Sequence, residues 1–194
     1  MDQQKRENVL KQIRLEALSA IYLHQIRLKS VRRKNSTTNF LTIAVPILYF
    51  VPRFLLKDSV YHNAVEVLWE LLASFLLILG VSKVVFRWDQ KENDHSFMIH
   101  KNRDTAREAL QLLEEKIRSN PVLQQFLKRV QDNDKRDNDE LLLDVKIQQD
   151  QTAFRYALKH LVPGTTVLCP KCNADPWNFK TGSCQLCGNS PNNS

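Results

Sequence analysis

Apolar residues recur at steps of three and four between residues 8 and 34. Leu10, Ile13, Ala17, Ile21, His24, Leu28 and Val31 fall on one stripe, the signature of an amphipathic helix. The remaining surface is basic, with Lys11, Arg14, Arg27, Lys29, Arg32, Arg33 and Lys34. Such a helix either packs its stripe on a neighbour or lies against an anionic leaflet or a nucleic acid. His24 sits on the stripe and is expected to pack there, not to bind a ligand. The polar run Asn35-Ser36-Thr37-Thr38-Asn39 is expected to break the helix.

Two apolar stretches follow. The first runs from Phe40 to Leu56 and contains Pro46, Pro52 and Arg53. The second runs from Ala64 to Trp88, and its centre, Leu71 to Ser82, carries no charge. A membrane helix needs roughly 20 mostly apolar residues, so each is a marginal span, and a buried hairpin in a soluble bundle is the alternative. Three features favour lipid. Lys83 and Arg87 stand at one end of the second stretch, where long side chains reach the interface. Trp69 and Trp88 are 19 residues apart, roughly 28 Å along one helix, the separation of two aromatic belts. Proline is also better tolerated in a spanning helix than in a soluble one.

Beyond the hairpin the periodicity weakens. Residues 91–102 read as irregular and polar, and Asp104 to Arg118 as helix. Asn120-Pro121 reads as an N-cap with proline in the first helical position, starting a helix through Val130. Residues 131–139, QDNDKRDND, read as a charged linker, and Leu141 to Val162 as helix, ended by Pro163-Gly164. The predicted fold is all-α: a two-span transmembrane helical hairpin, amphipathic cytoplasmic helices and a small C-terminal zinc ribbon. The expected domains are 1–37, a basic helix; 38–90, the hairpin; 91–163, a cytoplasmic helical region; and 164–194, the ribbon and tail.

Charge and composition sharpen this picture. The formal net charge is +7, which favours anionic partners without choosing among them. Nine Lys/Arg precede the first span, against Lys57 and Arg53 near the connecting turn. The positive-inside rule then puts both termini in the cytoplasm. The charged N-terminus lacks the apolar core of a signal peptide.

The chemistry is concentrated in four cysteines. Cys169-Pro-Lys-Cys172 and Cys184-Gln-Leu-Cys187 are separated by eleven residues. Two such hooks supply four thiolates, enough for one tetrahedral zinc ion, and leave no open position for catalysis. Gly188 suits the backbone turn after the second hook. A ribbon this small cannot bury its own core, so the metal must supply folding energy. Lys171, Trp177, Phe179 and Lys180 combine rings and cations and are candidate nucleic-acid contacts, or else Trp177 and Phe179 merely cover the hairpin. Glu66 and Glu70 share a face of the second span and are candidate pore-facing residues, or else hydrated groups at its end. No phosphate-binding loop is present, four glycines leave little room for one, and no enzymatic activity is expected.

The layout and the four cysteines resemble the mobilome CxxCx(11)CxxC protein family. The membrane part is similar to the SLATT group of two-span effector domains of bacterial anti-phage systems, both retron and cyclic-nucleotide types. The resemblance implies a toxic effector that permeabilises the inner membrane. It would act as a homo-oligomer in the lipid bilayer, regulated by a reverse transcriptase with its DNA or by a cyclic nucleotide. The competing reading is a membrane-tethered zinc-ribbon adaptor or nucleic-acid-binding protein without toxicity.

Overall fold

The structure, a computed structural model, describes residues 3–55, 62–115, 120–137 and 144–190, with backbone alone at 51–55, 62, 65 and 120. Five helices are described: α1 (Gln3–Leu55), α2 (His62–Val85), α3 (Trp88–Glu114), α4 (Asn120–Arg136) and α5 (Ile147–His160). Among the described residues there is no strand, only an isolated bridge between Thr181 and Asn189. The chain packs as two units. One comprises residues 1–27 and 95–194, the other residues 28–94. The expected borders at 37, 90 and 163 followed changes of sequence pattern, whereas these units follow packing.

In the first unit, the N-terminal part of α1 buries its apolar stripe on other helices. Leu10 and Ile13 pack with Ala109 and Leu112 of α3 and with Leu123, Phe126 and Val130 of α4. On another side Leu15 packs with Ala157 and Leu158 of α5 and with Cys169, Cys184 and Cys187. α1 is thus wrapped from two directions. Arg14, itself buried, donates to the carbonyls of Ala106 (2.5 Å), Leu161 (2.7 Å) and His160 (3.3 Å). Burial lowers its pKa, opposed by the charge of Glu114.

A buried polar chain ties α1, α3 and the end of α4. His24 is 0 % exposed; its Nε2 lies 3.0 Å from Asp137 Oδ1 and its Nδ1 3.0 Å from His95 Nδ1. In the histidine pair one nitrogen must carry the proton and the other accept it. Asn102 Nδ2 donates to Asp137 Oδ2 at 2.9 Å.

Several sequence expectations need correction here. Residues 91–102 are helical, because α3 runs unbroken from Trp88. Its buried face is His95, Met98, Ile99, Asn102, Thr105, Ala106, Ala109 and Leu112, with helical spacing but too few aliphatics to register as a stripe. Residues 131–136 are helical, not linker. Lys135 and Arg136 suit the negative end of α4, Arg136 lies over the Phe97 ring at 5.2 Å, and Asp137 is drawn into the polar chain. The third correction is at Asn35–Asn39, where α1 continues without a break. Asn35 donates to Asp89 (2.6 Å) and Glu92 (3.0 Å), and Asn39 accepts from Lys83 (2.9 Å), so side chains that favour turns are occupied elsewhere. α5 begins at Ile147, not at 141; residues 141–143 lie outside the described residues, as do 116–118 of the helix expected to reach Arg118.

The second unit brings the two apolar stretches together. Tyr49 of α1 stacks on Trp69 of α2 with ring centroids 3.9 Å apart. At the other end Lys83 pairs with Asp89 (3.1 Å) and Arg32 with Glu92 (3.0 Å), forming with Asn35 and Asn39 a polar collar. Bonds from Asn35, then from Lys83 and Arg32 respectively, lower the pKa values of Asp89 and Glu92. Among the described residues one segment, Glu66–Val85, is long and apolar enough to cross a membrane. The first stretch is helical through Leu55, and its last residues, from Val51 on, lie outside the described side chains. The Trp69–Trp88 spacing is not a distance along one helix. α2 ends at Val85 and the chain turns at Arg87, whose φ is +50°.

Two measurements test this packing. Asp137→Ala strands the buried donors of His24 and Asn102, and should cost about 3 kcal/mol in denaturant unfolding. Asp134, half-buried near Glu16 and Asp137, has its pKa raised by burial first and then by those charges, to about 6. The native state therefore holds a proton that the unfolded chain releases near pH 4, so stability falls as pH rises from about 4 to about 6. Asp134→Asn should gain about 1 kcal/mol at pH 7, after discounting for solvent screening, and nothing below pH 4. An equal gain at both pH values would contradict this.

Candidate metal centre

The two cysteine hooks have the same local construction. In each, the amide after the second cysteine returns to the carbonyl of the first: Asn173 N–H to Cys169 O at 2.9 Å, Gly188 N–H to Cys184 O at 2.7 Å. Each closing residue is left-handed, with φ +54° at Asn173 and +68° at Gly188. Glycine adopts that region freely, and asparagine tolerates it better than most residues. Each first cysteine also donates its amide five residues ahead, Cys169 to Ala174 O (3.0 Å) and Cys184 to Asn189 O (3.2 Å). Gly188 was legible in the sequence as a turn residue; Asn173 is its counterpart and was not.

Asn189 joins the hooks. It is buried, its Oδ1 accepts from the Lys180 amide at 2.7 Å, and its Nδ2 faces the carbonyls of Asn178 (3.3 Å) and Asp175 (3.4 Å). Gly182 passes so close to Ser190 that an added Cβ would lie 2.3 Å from its backbone. Only glycine fits there.

The result is a compact set of sulfurs. All four lie within 4.8 Å of one another, with Cys169–Cys184 at 3.9 Å and Cys172–Cys187 at 3.4 Å. A tetrahedral ion with metal–sulfur bonds of about 2.3 Å sets sulfurs about 3.8 Å apart, so the cluster fits a metal ion such as zinc. The sulfurs by themselves are ill-matched in charge. Burial raises the Cys184 thiol, but the amides of Cys187 and Leu186 and the neighbouring thiols outweigh it and bring it down to about 6. Burial, the largest cause at both, pushes Cys172 and Cys187 up. A divalent cation would let all four ionise together.

The centre is seated on α5. Arg155 Nη1 donates to Cys187 O, and Gln151 Nε2 reaches the carbonyls of Cys184 (3.3 Å) and Gln185 (3.4 Å). Neither residue stood out in the sequence, because their role depends on a contact more than 30 positions away.

The family follows from the hooks and what surrounds them. The mobilome CxxCx(11)CxxC protein model matches residues 7–190. The chain belongs to that family. The match covers the helices as well as the hooks. No curated protein and no solved structure matches the chain significantly.

The other candidates are placed as follows. Trp177 and Phe179 are both well exposed, under cations from α5: Lys159 Nζ lies 4.7 Å from the Trp177 ring and the Arg155 guanidinium 3.9 Å from Phe179. Lys171 Nζ donates to Gln185 Oε1 at 2.6 Å, and Lys180 is exposed. Glu66 and Glu70 lie on α2 in the other unit, Glu70 exposed and Glu66 partly so.

Cys169→Ser removes one of four ligands from a closed shell. Its metal affinity should fall at least about 100-fold, read as loss of a one-ion-per-chain stoichiometry by elemental analysis after mild chelation. Undiminished retention would rule out a four-thiolate centre.

Proposed function

We propose that this protein is a membrane effector of bacterial anti-phage defence that permeabilises the inner membrane and aborts infection. The observation that carries the reading is the outer surface of the second unit. Leu68, Leu71, Phe75, Leu77, Ile78 and Val81 of α2 all face outward, and no part of the Glu66–Val85 segment is buried. Phe40, Ile43, Ile47, Leu48 and Phe50 of α1 are exposed likewise. Water does not tolerate so extensive an apolar face, whereas lipid does. The collar of Lys83, Asp89, Glu92 and Arg32 follows the end of the segment, as an interface requires.

On this reading α1 and α2 enter the bilayer as a two-span hairpin, with both termini cytoplasmic. Toxicity is proposed from the resemblance of this two-span layout to the SLATT group. Two spans cannot enclose a path, so copies assemble, with Glu66 and Glu70 favouring cations near its outer mouth. The metal is zinc, held structurally by Cys169, Cys172, Cys184 and Cys187. Release comes from a reverse transcriptase with its DNA or from a cyclic nucleotide.

Leu77→Arg tests this. Leu77 is 69 % exposed, so in a water-soluble protein the change would be harmless. At the centre of a span it costs roughly 2.5–3.5 kcal/mol of insertion. Induced expression of the native chain with its trigger should depolarise cells stained with a potential-sensitive dye, and the variant should not. Equal depolarisation by both, or by neither, would refute the proposal.

A further inference from the structure

The metal module leaves its largest ring outside. Trp177 is 56 % exposed, although Cys169, Ala174, Pro176, Cys184 and Cys187 are all buried beside it in sequence or space. A small module that needed every apolar contact would have turned that ring inward. The two rings also differ in a way the sequence could not show. The cation over Phe179 is Arg155, fixed by its bond to Cys187 O, so that ring face is closed. The cation over Trp177 is Lys159, which has no such anchor among the described residues and lies on the last turn of α5 beside His160, edge-on to the indole at 6.4 Å.

We propose that α5 and the metal module form one docking surface for single-stranded nucleic acid, with Trp177 as the stacking platform and Lys159, Lys171 and Lys180 as phosphate contacts. The partner follows from the chemistry. A half-exposed indole takes an unpaired base on its face, and lysines around it take the backbone. Residues 147–190 hold four Lys/Arg against two carboxylates, Asp150 on the first turn of α5 and, beside the ring, Asp175. The latter is occupied locally, accepting from the Trp177 amide (2.9 Å) and from Asn178 Nδ2 (2.8 Å). Arg155 is committed to the Cys187 carbonyl and the Phe179 ring, whereas Lys171 and Lys180 are exposed and Lys159 partly so. Duplex is disfavoured, since its bases are already stacked. A leaflet would be met by a broad apolar face, whereas this ring's immediate neighbours are Lys159 and His160. The inference stands independently of the membrane reading.

The test uses the full chain, detergent-solubilised and metal-loaded, with a fluorescein-labelled mixed-sequence 20-nucleotide DNA as the probe in anisotropy titrations. Trp177→Ala should weaken binding at least about 10-fold, the effect of one lost base stack. Lys159→Gln and Lys180→Gln should each flatten the salt dependence by about 0.7 in log–log slope. Phe179→Leu should change affinity less than 3-fold. Metal stoichiometry reports folding in every variant; should Trp177→Ala lose metal, the lysine slopes decide. Absence of binding, equal affinity for duplex, unchanged salt slopes, an unaffected metal-loaded Trp177→Ala, or binding confined to anionic phosphatidylglycerol vesicles would each overturn the proposal.

Discussion

The first unit depends on a single buried cation. Arg14 projects from α1 into the place where α5 ends, and its guanidinium takes the carbonyls of His160 and Leu161 together with Ala106 of α3. A helix ends with carbonyls that lack intrahelical donors, and a cation there suits the negative end of the helix dipole. A fork of five fixed donors is the one side chain that can serve several such oxygens at once. Arg14 therefore anchors the end of α5. That anchor fixes the start of the path through Val167 to Cys169, and so the seat of the first hook against Leu15 and Leu158. Lysine at this position would keep the charge and lose the fork.

The two units handle apolar residues in opposite ways. In the first, Met98, Phe126 and Leu158 are buried almost completely and polar groups are paired inside. In the second, the apolar side chains of α2 point outward, and the strong polar contacts gather at Arg32, Asn35, Lys83, Asp89 and Glu92. Water favours the first arrangement, and the proposed bilayer would favour the second. That contrast within one chain is a stronger argument for lipid than the length of either apolar stretch, because length alone also describes a core helix.

Legibility in the sequence followed the chemistry of each face. The stripe from Leu10 to His24 was readable because its residues are aliphatic and evenly spaced, and the hooks because thiolate spacing has few other uses. The N-terminal half of α3 was not, because its inner face is built from His95, Asn102 and Thr105, whose burial depends on partners far away. His24 and Asp137 are 113 positions apart, and no local pattern connects them. The end of α4 was misread for the same reason: charges that look like a linker were committed to Phe97 and His24. Local breakers failed at Asn35 and Asn39, where tertiary bonds outcompete the turn.

The symmetry of the hooks bears on what the metal is for. Both are closed by the same backbone bonds and the four sulfurs lie together, so an ion held by all four would have no open position. Its effect would be exerted through position. The sulfurs and Asn189 hold the segment from Asp175 to Lys180 against α5, and that segment carries Trp177, Phe179 and Lys180. Without an ion, burial opposes ionisation at Cys172 and Cys187, and the hooks lose the attraction that brings them together. The ring and the lysines would then lose their common frame. If that surface binds as proposed, loss of the metal would weaken binding through geometry alone.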